Sequence, residues 1–300
     1  MEKFYARVNG FNQNKDLVSV IVETVPKKVF GIRIVREQIE LLKVGYIYFM
    51  ETESFERKPG ELSLRLLNFE EIFGKEPDTA IEEALKAFFP ECEGLIERMN
   101  EINKFVDKIN NVILKTITKK LLKRYSPTFF YYPAASRMHH NYLGGLARHT
   151  LGMLKMSESL KVLYSEINND ILISGIVLHD IMKIKEYKTP LEPEFTKEGH
   201  LLGHIPLGVA EITKEALRNG FEDSEEVLLL QHMMISHHGQ LAFGSSRKPA
   251  FIEAFILHML DNMNSKLTAI TDALKKTSDF TFSENVAAAE KTSFYKHGIK

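Results

Sequence analysis

The hydrophobic pattern changes near Gly94, and this change divides the 300-residue sequence into two kinds of structure. Before residue 73, short segments rich in β-branched and aromatic residues predict strands at 17–25, 43–51 and 61–69. After Gly94, apolar residues recur at intervals of three and four, which predicts helices. Several short strands in about 70 residues are typical of a small barrel or sandwich. We therefore expect an α+β chain in which a small β-barrel or sandwich precedes an all-α domain.

Glycine and proline residues divide the second part of the chain into separate helices. The first predicted helix runs from Gly94 to about Arg124, and Pro127 is expected to stop it. Further helices are predicted at 139–163, 170–184, 203–219, 224–237 and 249–275. The expected organisation is a β-domain over 1–72, a linker and connecting helix over 73–124, a helical domain over 125–275 and a C-terminal tail over 276–300.

Composition excludes several classes of protein. The formal net charge is −1, so overall charge does not indicate a nucleic-acid-binding protein, although a local cluster of charge still could. Cys92 is the only cysteine, which excludes an intrachain disulfide and a thiolate metal cluster and fits a reducing cytoplasm. The N-terminal segment lacks the apolar core of a signal peptide, and no run of about 18 apolar residues could span a membrane. We expect a cytoplasmic protein that does not associate with membranes.

Histidines concentrate in the predicted helical region, where nine of the eleven lie between residues 139 and 238. The pair His179-Asp180 follows an apolar run, and burying an imidazole and a carboxylate is costly unless something pairs with them. Other residues of the same two types in apolar surroundings are His149, His204, His237, His238 and Asp261. Such residues are the expected ligands of divalent transition metals, and helices bring distant ligands together in a bundle core. Any single histidine of this set, taken alone, is more often a hydrogen-bonded core residue.

The order of these residues resembles that of the HD-domain metal-dependent phosphohydrolases. The segments HHNYLGGLARHTLGM, GHLLGHIPLG and SHHGQLAFGSSRKPAFIEAFILHMLDNMNSKL, with the closing FTFSEN and SFYK, are similar to the YhaM-type 3′–5′ exoribonucleases. The similarity covers about 125–300. It implies an N-terminal OB-like barrel before an HD domain. It also implies a metal-dependent 3′–5′ exonuclease that hydrolyses single-stranded RNA, or also DNA, to nucleoside 5′-monophosphates.

The same resemblance implies two divalent metal ions, with Mn²⁺ favoured and Fe, Co, Ni or Zn as alternatives. The first ion would be held by His149, His179, Asp180 and Asp261. Asp180 would bridge to a second ion, whose remaining ligands would be His204, His237 and His238. Asp180 is thus a candidate catalytic residue, together with Lys183 one helical turn after His179, which could stabilise charge on a phosphate oxygen. The alternative for Lys183 is a solvated lysine at a helix end.

A basic stretch without Asp or Glu extends from Lys108 to Ser157. Its nine Lys and Arg residues could neutralise phosphates, and its interleaved aromatic residues, among them Tyr125, Phe129, Phe130, Tyr131, Tyr132 and Tyr142, could stack on unpaired bases. The alternative is a solvated helix face followed by aromatic core residues. Candidate substrate-binding residues in and near this stretch are Arg137, His139, His140, Arg148 and Arg247.

Two other functions are compatible with parts of this pattern. A phosphohydrolase acting on a small nucleotide or cyclic dinucleotide would share the metal site, but it would need neither the basic stretch nor the β-domain. A nucleic-acid-binding module with an inactive HD site would need no metal, and the complete set of ligand residues argues against it. The basic stretch and the β-domain favour a single-stranded nucleic acid as the partner.

Overall fold

The structure is a computed structural model that describes residues 1–14, 17–135, 142–191 and 193–299. The chain divides into two compact units, Met1–Ile96 and Glu97–Lys300. The first unit contains a closed five-stranded barrel, and the second is helical. The predicted fold class, a small β-barrel followed by an all-α region, is therefore confirmed.

The barrel consists of β1 (Glu2–Asn14), β2 (Leu17–Thr24), β3 (Lys28–Ile34), β4 (Ile47–Lys58) and β5 (Glu61–Glu71). Neighbouring strands follow the order β1-β2-β3-β5-β4, and β1 pairs with β4 to close the sheet. All neighbouring pairs are antiparallel except β3 with β5. Closure satisfies backbone groups that an open sheet would leave at its edges.

The barrel core is formed by alternate residues of each strand, which point to the inside of the barrel. Val20 and Val22 on β2 are fully buried together with Ile32 on β3, because alternate residues of a strand point to the same face. The sequence did not indicate β1 and β3 as strands. Charged residues and Gly10 interrupt the apolar pattern of β1, whose pairing with β2 is irregular at that point, and Gly31 interrupts the pattern of β3. After the barrel, helix α1 (Thr79–Phe88) belongs to the same unit.

The helical unit is arranged around one buried helix, α5 (Asn169–Leu178), whose residues from Leu172 onward are all buried. Four helices contact it directly: α3 (Val112–Phe129), α4 (Gly145–Leu163), α9 (Glu225–Ser236) and α10 (Ile252–Lys275). The remaining helices are α2 (Leu95–Asp107), α6 (Lys183–Glu186), α7 (Lys197–Leu201) and α8 (His204–Asn219). The carboxyl end of α5 therefore lies deep inside the unit, and His179 directly follows it.

The prediction of one helix from Gly94 to Arg124 is wrong, because α2 and α3 are separate helices. Asn111 begins α3 by accepting a hydrogen bond from the Leu114 N–H at 3.0 Å, and its own N–H donates to Asp170 at 2.8 Å. Pro127 does not stop the helix either, since α3 continues to Phe129. Pro127 has no N–H to donate to the carbonyl of residue 123, and the helix ends two residues later. The predicted helix 170–184 is likewise interrupted between α5 and α6.

The segment after α10 folds back on itself through isolated bridges that pair Phe282 with Tyr295 and Val286 with Thr292. In the part of the chain that the structure describes, no helix combines the length and apolar character needed to cross a membrane. The predicted start of a helix at residue 139 falls within 136–141, outside the described residues, and α4 begins at Gly145.

Two leucines on α9 test how strongly this packing stabilises the helical unit. Leu230 is fully buried, whereas Leu228, two residues earlier, is 64% exposed. We expect Leu230→Ala to lower the free energy of unfolding by about 2–5 kcal/mol through lost apolar burial and a residual cavity. Leu228→Ala should change it by less than about 1 kcal/mol. Urea denaturation followed by circular dichroism measures both, and equal losses would contradict the described packing.

Candidate metal centre

Five helices bring the seven predicted ligands into one centre. His149 lies within α4, His179 ends α5, and His204 begins α8. His237 and His238 follow α9, and Asp261 lies within α10, while Asp180 comes directly after His179. Each helix packs its apolar face into the unit. The ends of α5 and α9 and the start of α8 therefore meet, and this brings their polar residues together. Residues more than 100 positions apart in the sequence thus share one site.

The first group within this centre consists of His149, His179 and Asp261. One ligand atom from each residue lies within 4.8 Å of the others. His149 Nε2 is 3.3 Å from Asp261 Oδ1, and the His149 and His179 rings are 5.4 Å apart between centroids. His149 and His179 are almost completely buried. The group therefore offers two imidazole nitrogens and a carboxylate oxygen to one ion.

The second group consists of His204, His237 and His238, whose ligand atoms also lie within 4.8 Å of one another. The His237 and His238 ring centroids are 4.2 Å apart. His258, on α10, supports this group because its Nδ1 lies 2.8 Å from the His237 carbonyl oxygen. Three imidazoles at this spacing can coordinate a second ion.

Asp180 lies between the two groups and points one oxygen toward each. Its Oδ2 is 3.2 Å from His179 Nε2, in the first group. Its Oδ1 is 3.3 Å from His204 Nε2 and 3.9 Å from His237 Nε2, in the second group. A carboxylate with this placement can serve as the shared anionic ligand of a two-metal site.

Buried polar atoms without hydrogen-bond partners show that these residues fit a bound cation. Among the described residues, His179 Nε2, Asp180 Oδ1, His204 Nε2 and His237 Nε2 are buried and make no hydrogen bond. Native proteins rarely leave such atoms unsatisfied, because burial without a partner costs free energy. All four atoms belong to the facing surfaces of the two groups, so cations bound there would satisfy them together. The mixed nitrogen and oxygen donors suit a divalent transition metal.

Hydrogen bonds on the outer nitrogen of each ring hold the imidazoles in place. His179 Nδ1 and His237 Nδ1 each lie 2.8 Å from the backbone carbonyl three residues earlier, and each can donate to it. His149 Nδ1 pairs with Asn264 Oδ1 at 2.9 Å, and His204 Nδ1 pairs with Glu186 Oε2 at 3.0 Å. Donation from Nδ1 leaves each Nε2 lone pair directed into the centre, as metal ligation requires.

Sequence reasoning missed two of these supporting residues, Glu186 and Asn264. Asn264 follows Asp261 by three residues on the same helix and therefore shares its face, which is a signal the sequence contains. Glu186 has no such signal, because it reaches His204 only where the chain between α6 and α8 turns back. The Thr196 N–H donates to the Glu186 carbonyl at 2.9 Å in that turn. Glu186 also accepts a hydrogen bond from the His204 backbone N–H at 3.2 Å.

The surroundings of several residues in the centre favour the protonation states in which these residues can bind a metal ion. Burial and the neighbouring His238 lower the pKa of His237 well below its usual value, so the ring is neutral at neutral pH. Burial alone would raise the pKa of Asp261, but its interaction with His149 lowers the pKa overall. Burial would likewise raise the pKa of Asp180, yet the positive charge of Lys183 lowers it well below its usual value. Neutral imidazole and ionised carboxylate are the states that bind cations.

Lys183 is fixed at the edge of the centre rather than solvated. Its Nζ lies 2.7 Å from Asp180 Oδ2 and 2.6 Å from the Ala134 carbonyl oxygen. Burial would lower the pKa of Lys183, but the Asp180 carboxylate raises it overall, so the ammonium group stays charged. Lys183 therefore orients the oxygen of Asp180 that faces the first group.

Among the candidate substrate-binding residues, the structure describes Arg148 and Arg247. Arg148 lies on the exposed side of α4, with its guanidinium 5.9 Å from the Tyr142 ring centroid. Arg247 is exposed in the loop before α10. Arg137, His139 and His140 lie outside the described residues.

The basic stretch does not form the aromatic stacking surface that the sequence favoured. Phe129, Phe130 and Tyr131 are fully buried and Tyr132 is nearly so, so the prediction that these rings stack on bases is wrong. They follow α3 into the core, where apolar burial outweighs exposure to a ligand. Many cations of the stretch pair with acidic residues from elsewhere in the chain: Lys108 with Glu158, Lys119 with Asp107, Arg124 with Glu215, and Lys155 with Glu101.

Comparison with known proteins shows which protein family contains a similar domain. The HD domain family model matches residues 146–265, a span that includes the six residues of the two groups and also Asp180. The chain is 42% identical to the 3′-5′ exoribonuclease YhaM of Geobacillus sp. (strain WCH70), over 67% of this chain and 61% of that protein. It is 37% identical to the YhaM of Halalkalibacterium halodurans, over 73% of this chain and 69% of that protein.

The chain belongs to the YhaM family. The YhaM of Bacillus subtilis (strain 168) is 40% identical over 67% of this chain and 63% of its own length. The chain thus spans about three-fifths of the length of several curated relatives that it matches. No solved structure matches the chain. The resemblance predicted from the sequence is confirmed at the level of the family.

Glu186 provides a test of how much the supporting hydrogen bonds contribute to the centre. We expect Glu186→Gln to weaken Mn²⁺ binding by roughly 10–100-fold. The substitution replaces the carboxylate that accepts a hydrogen bond from His204 Nδ1 and orients the ring with a neutral amide. Glu194→Gln is the matched control, since Glu194 is an exposed carboxylate that pairs with Lys188. Calorimetric titration of Mn²⁺ into each variant measures the affinity. Equal affinity in Glu186→Gln and the control would contradict a supporting role for Glu186.

Proposed function

We propose that the chain is a metal-dependent 3′–5′ exonuclease that hydrolyses single-stranded RNA to nucleoside 5′-monophosphates. The observation that carries this proposal is Asp180, whose two oxygens face two separate buried groups of ligands. A two-metal site of this kind is suited to in-line displacement at phosphorus. The exoribonuclease names of the relatives support RNA as the substrate and the 3′–5′ direction.

In this proposal, one divalent ion is held by His149, His179, Asp180 and Asp261, and a second by Asp180, His204, His237 and His238. Mn²⁺ is the ion we propose, with Fe, Co, Ni or Zn as alternatives that the same donors accept. When bound, such ions lower the pKa of a water molecule and neutralise charge that develops on the phosphate oxygens.

The protein's own residues prepare the site for a polyanionic substrate. Asp180 and Asp261 stay ionised, because Lys183 and His149 lower their pKa values. The fixed ammonium of Lys183 adds a positive charge that does not have to reorganise as the phosphate becomes more negative. The Nδ1 hydrogen bonds of the four histidines keep the Nε2 atoms in one orientation throughout. The residues thereby supply positioning and electrostatic preorganisation, which dominate catalysis of phosphoryl transfer.

The barrel offers a separate surface for holding the strand. A cleft of about 750 Å³ is lined by residues of all five strands, including Arg57 and Lys58. Two guanidinium groups, those of Arg33 and Arg65, lie 5.6 Å and 5.5 Å from the centroid of the Phe55 ring. OB-like barrels bind oligonucleotides on the corresponding strands and loops, and base stacking contributes about 1–3 kcal/mol per base. This cleft, rather than the buried aromatic residues of the basic stretch, is the base-stacking surface in our proposal.

Removing the charge of Asp180 tests the proposed reaction. We expect Asp180→Asn to lower the rate of RNA degradation by at least about 10³-fold, since the neutral amide cannot serve both groups as an anionic ligand. The assay follows 5′-labelled single-stranded RNA with Mn²⁺ or with EDTA. Wild-type protein with Mn²⁺ should produce a ladder that shortens from the 3′ end, and EDTA should abolish it.

Asp223→Asn is the control, because Asp223 is exposed in the turn before α9. It should degrade RNA at the wild-type rate. Full activity in Asp180→Asn, or a Mn²⁺-independent ladder, would reject the proposed mechanism. Release of labelled mononucleotide from the 5′ end would reject the proposed direction.

A further inference from the structure

Five cations of the helical unit gather along one side of α8, around two carboxylates. Glu211 and Glu215 lie one turn apart on that helix, and both are almost completely buried. We call the five cations the α8 ridge: Lys120 and Arg124 on α3, Lys185 on α6, and Lys214 and Arg218 on α8. All five side chains are exposed, so their charges are open to a ligand.

The Glu211 carboxylate holds two cations of the ridge. Its Oε1 lies 3.3 Å from Lys185 Nζ and 2.9 Å from Lys214 Nζ. Its Oε2 accepts a hydrogen bond from the Tyr125 hydroxyl at 2.6 Å. Burial would raise the pKa of Glu211, but these three contacts lower it to about 2. The carboxylate therefore stays ionised at neutral pH and fixes both ammonium groups.

The Glu215 carboxylate holds the two arginines of the ridge. Its Oε2 pairs with the guanidinium groups of Arg124 and Arg218, the second at 3.1 Å. The Asn219 side-chain amide donates to Glu215 Oε1 at 3.0 Å. Lys120 Nζ donates in turn to the Asn219 side-chain oxygen. The fifth cation is thus held by an uncharged partner.

The ridge has more positive charge than its two carboxylates neutralise. Four cations share Glu211 and Glu215, and Lys120 is a fifth, so three positive charges remain. Exposed cations elsewhere in this unit pair singly, as Lys275 does with Asp272 at 3.0 Å. One cation is enough to compensate each buried carboxylate. The surplus of charge therefore exceeds what the fold needs, and it is suited to a polyanion.

Helix α8 connects the ridge to the metal centre. His204, a candidate ligand, is its first residue, and Glu211 and Arg218 follow by 7 and 14 residues, so all three share one face. At about 1.5 Å per residue, they lie about 10 and about 21 Å along the helix axis from His204. On α6, Lys185 directly precedes Glu186, which pairs with the His204 ring at 3.0 Å. The ridge therefore begins near the centre and leads away from it.

We propose that the α8 ridge binds the phosphates of single-stranded RNA on the 5′ side of the nucleotide that is cleaved. The identity of the strand rests on the proposed function, in which the 3′ end occupies the metal centre. At about 3.4 Å per nucleotide of a stacked strand, a distance of about 10–21 Å corresponds to roughly three to six nucleotides. Lysine and arginine contacts to phosphates position a strand without reading its bases. The ridge therefore holds RNA of any sequence.

RNA binding without hydrolysis tests this proposal. The double variant Lys214→Gln, Arg218→Gln removes two cations that are 57% and 53% exposed, and each carboxylate keeps another cation. Fluorescence anisotropy in EDTA, with a labelled RNA of about 12 nucleotides, should show roughly 10-fold weaker binding at about 0.15 M salt. The slope of log affinity against log salt should become less steep by about 1.4, or about 0.7 for each lost phosphate contact.

The matched control is the double variant Lys86→Gln, Lys275→Gln. Lys86 and Lys275 are exposed, and each pairs singly with a carboxylate, so the same two charges are lost away from the ridge. This control should bind RNA with the wild-type affinity and salt dependence. Wild-type binding by the Lys214→Gln, Arg218→Gln variant, or an equal loss in the control, would overturn the proposal.

The length of the RNA tests where the ridge binds. With Mn²⁺, the ratio of the KM for an RNA of about 12 nucleotides to the KM for a trinucleotide should rise roughly 10-fold in the ridge variant, because the trinucleotide ends before Arg218. An equal rise for both lengths would overturn the proposal, since general damage to the site would cause it. Wild-type protein without nuclease activity would reject the proposed function, whereas the anisotropy comparison would still decide whether the ridge binds RNA.

Discussion

The site depends on the contacts that the buried Asp180 carboxylate makes with the Lys183 ammonium and the surrounding imidazoles. A carboxylate buried this completely is unfavourable unless positive charge or hydrogen-bond donors surround it. Lys183 provides one such charge at 2.7 Å, and the ligand nitrogens of His179 and His204 face its two oxygens. The atoms that remain unsatisfied on these residues are those that cations would fill. Stability of the helical core and metal binding are therefore coupled at one residue.

Most of the candidate ligands lie at helix ends, whereas His149 and Asp261 lie within α4 and α10. His179 and His237 each cap a helix and can donate to a carbonyl of its last turn, so the backbone itself fixes the ring. His204 begins a helix after Gly203, whose φ of 73° is a backbone conformation that favours glycine. Glu186 then binds both the ring and the backbone N–H of His204. Backbone carbonyls thus hold the His179 and His237 rings, while the side chains of Glu186 and Asn264 hold those of His204 and His149.

The motif order singled out seven ligand candidates, and the structure places these seven side chains in one cluster. Their role as metal ligands stays a prediction. Glu186 escaped prediction, since its role depends on how the segment after α6 turns back. The aromatic run from Phe129 to Tyr132 was misinterpreted, because a sequence pattern shows composition but not which face of a helix becomes buried. Strands β1 and β3 were missed because charges and glycines weaken alternation in strands whose pairing is decided by closure of the barrel.

Anomalous scattering from Mn²⁺-soaked crystals of the full chain would show whether Asp180 bridges two metal ions. We expect two anomalous peaks, one beside His149, His179 and Asp261 and the other beside His204, His237 and His238. They should be about 3.5–4 Å apart with one Asp180 oxygen on each. A single peak, or two peaks of which only one contacts Asp180, would rule out bridging by Asp180.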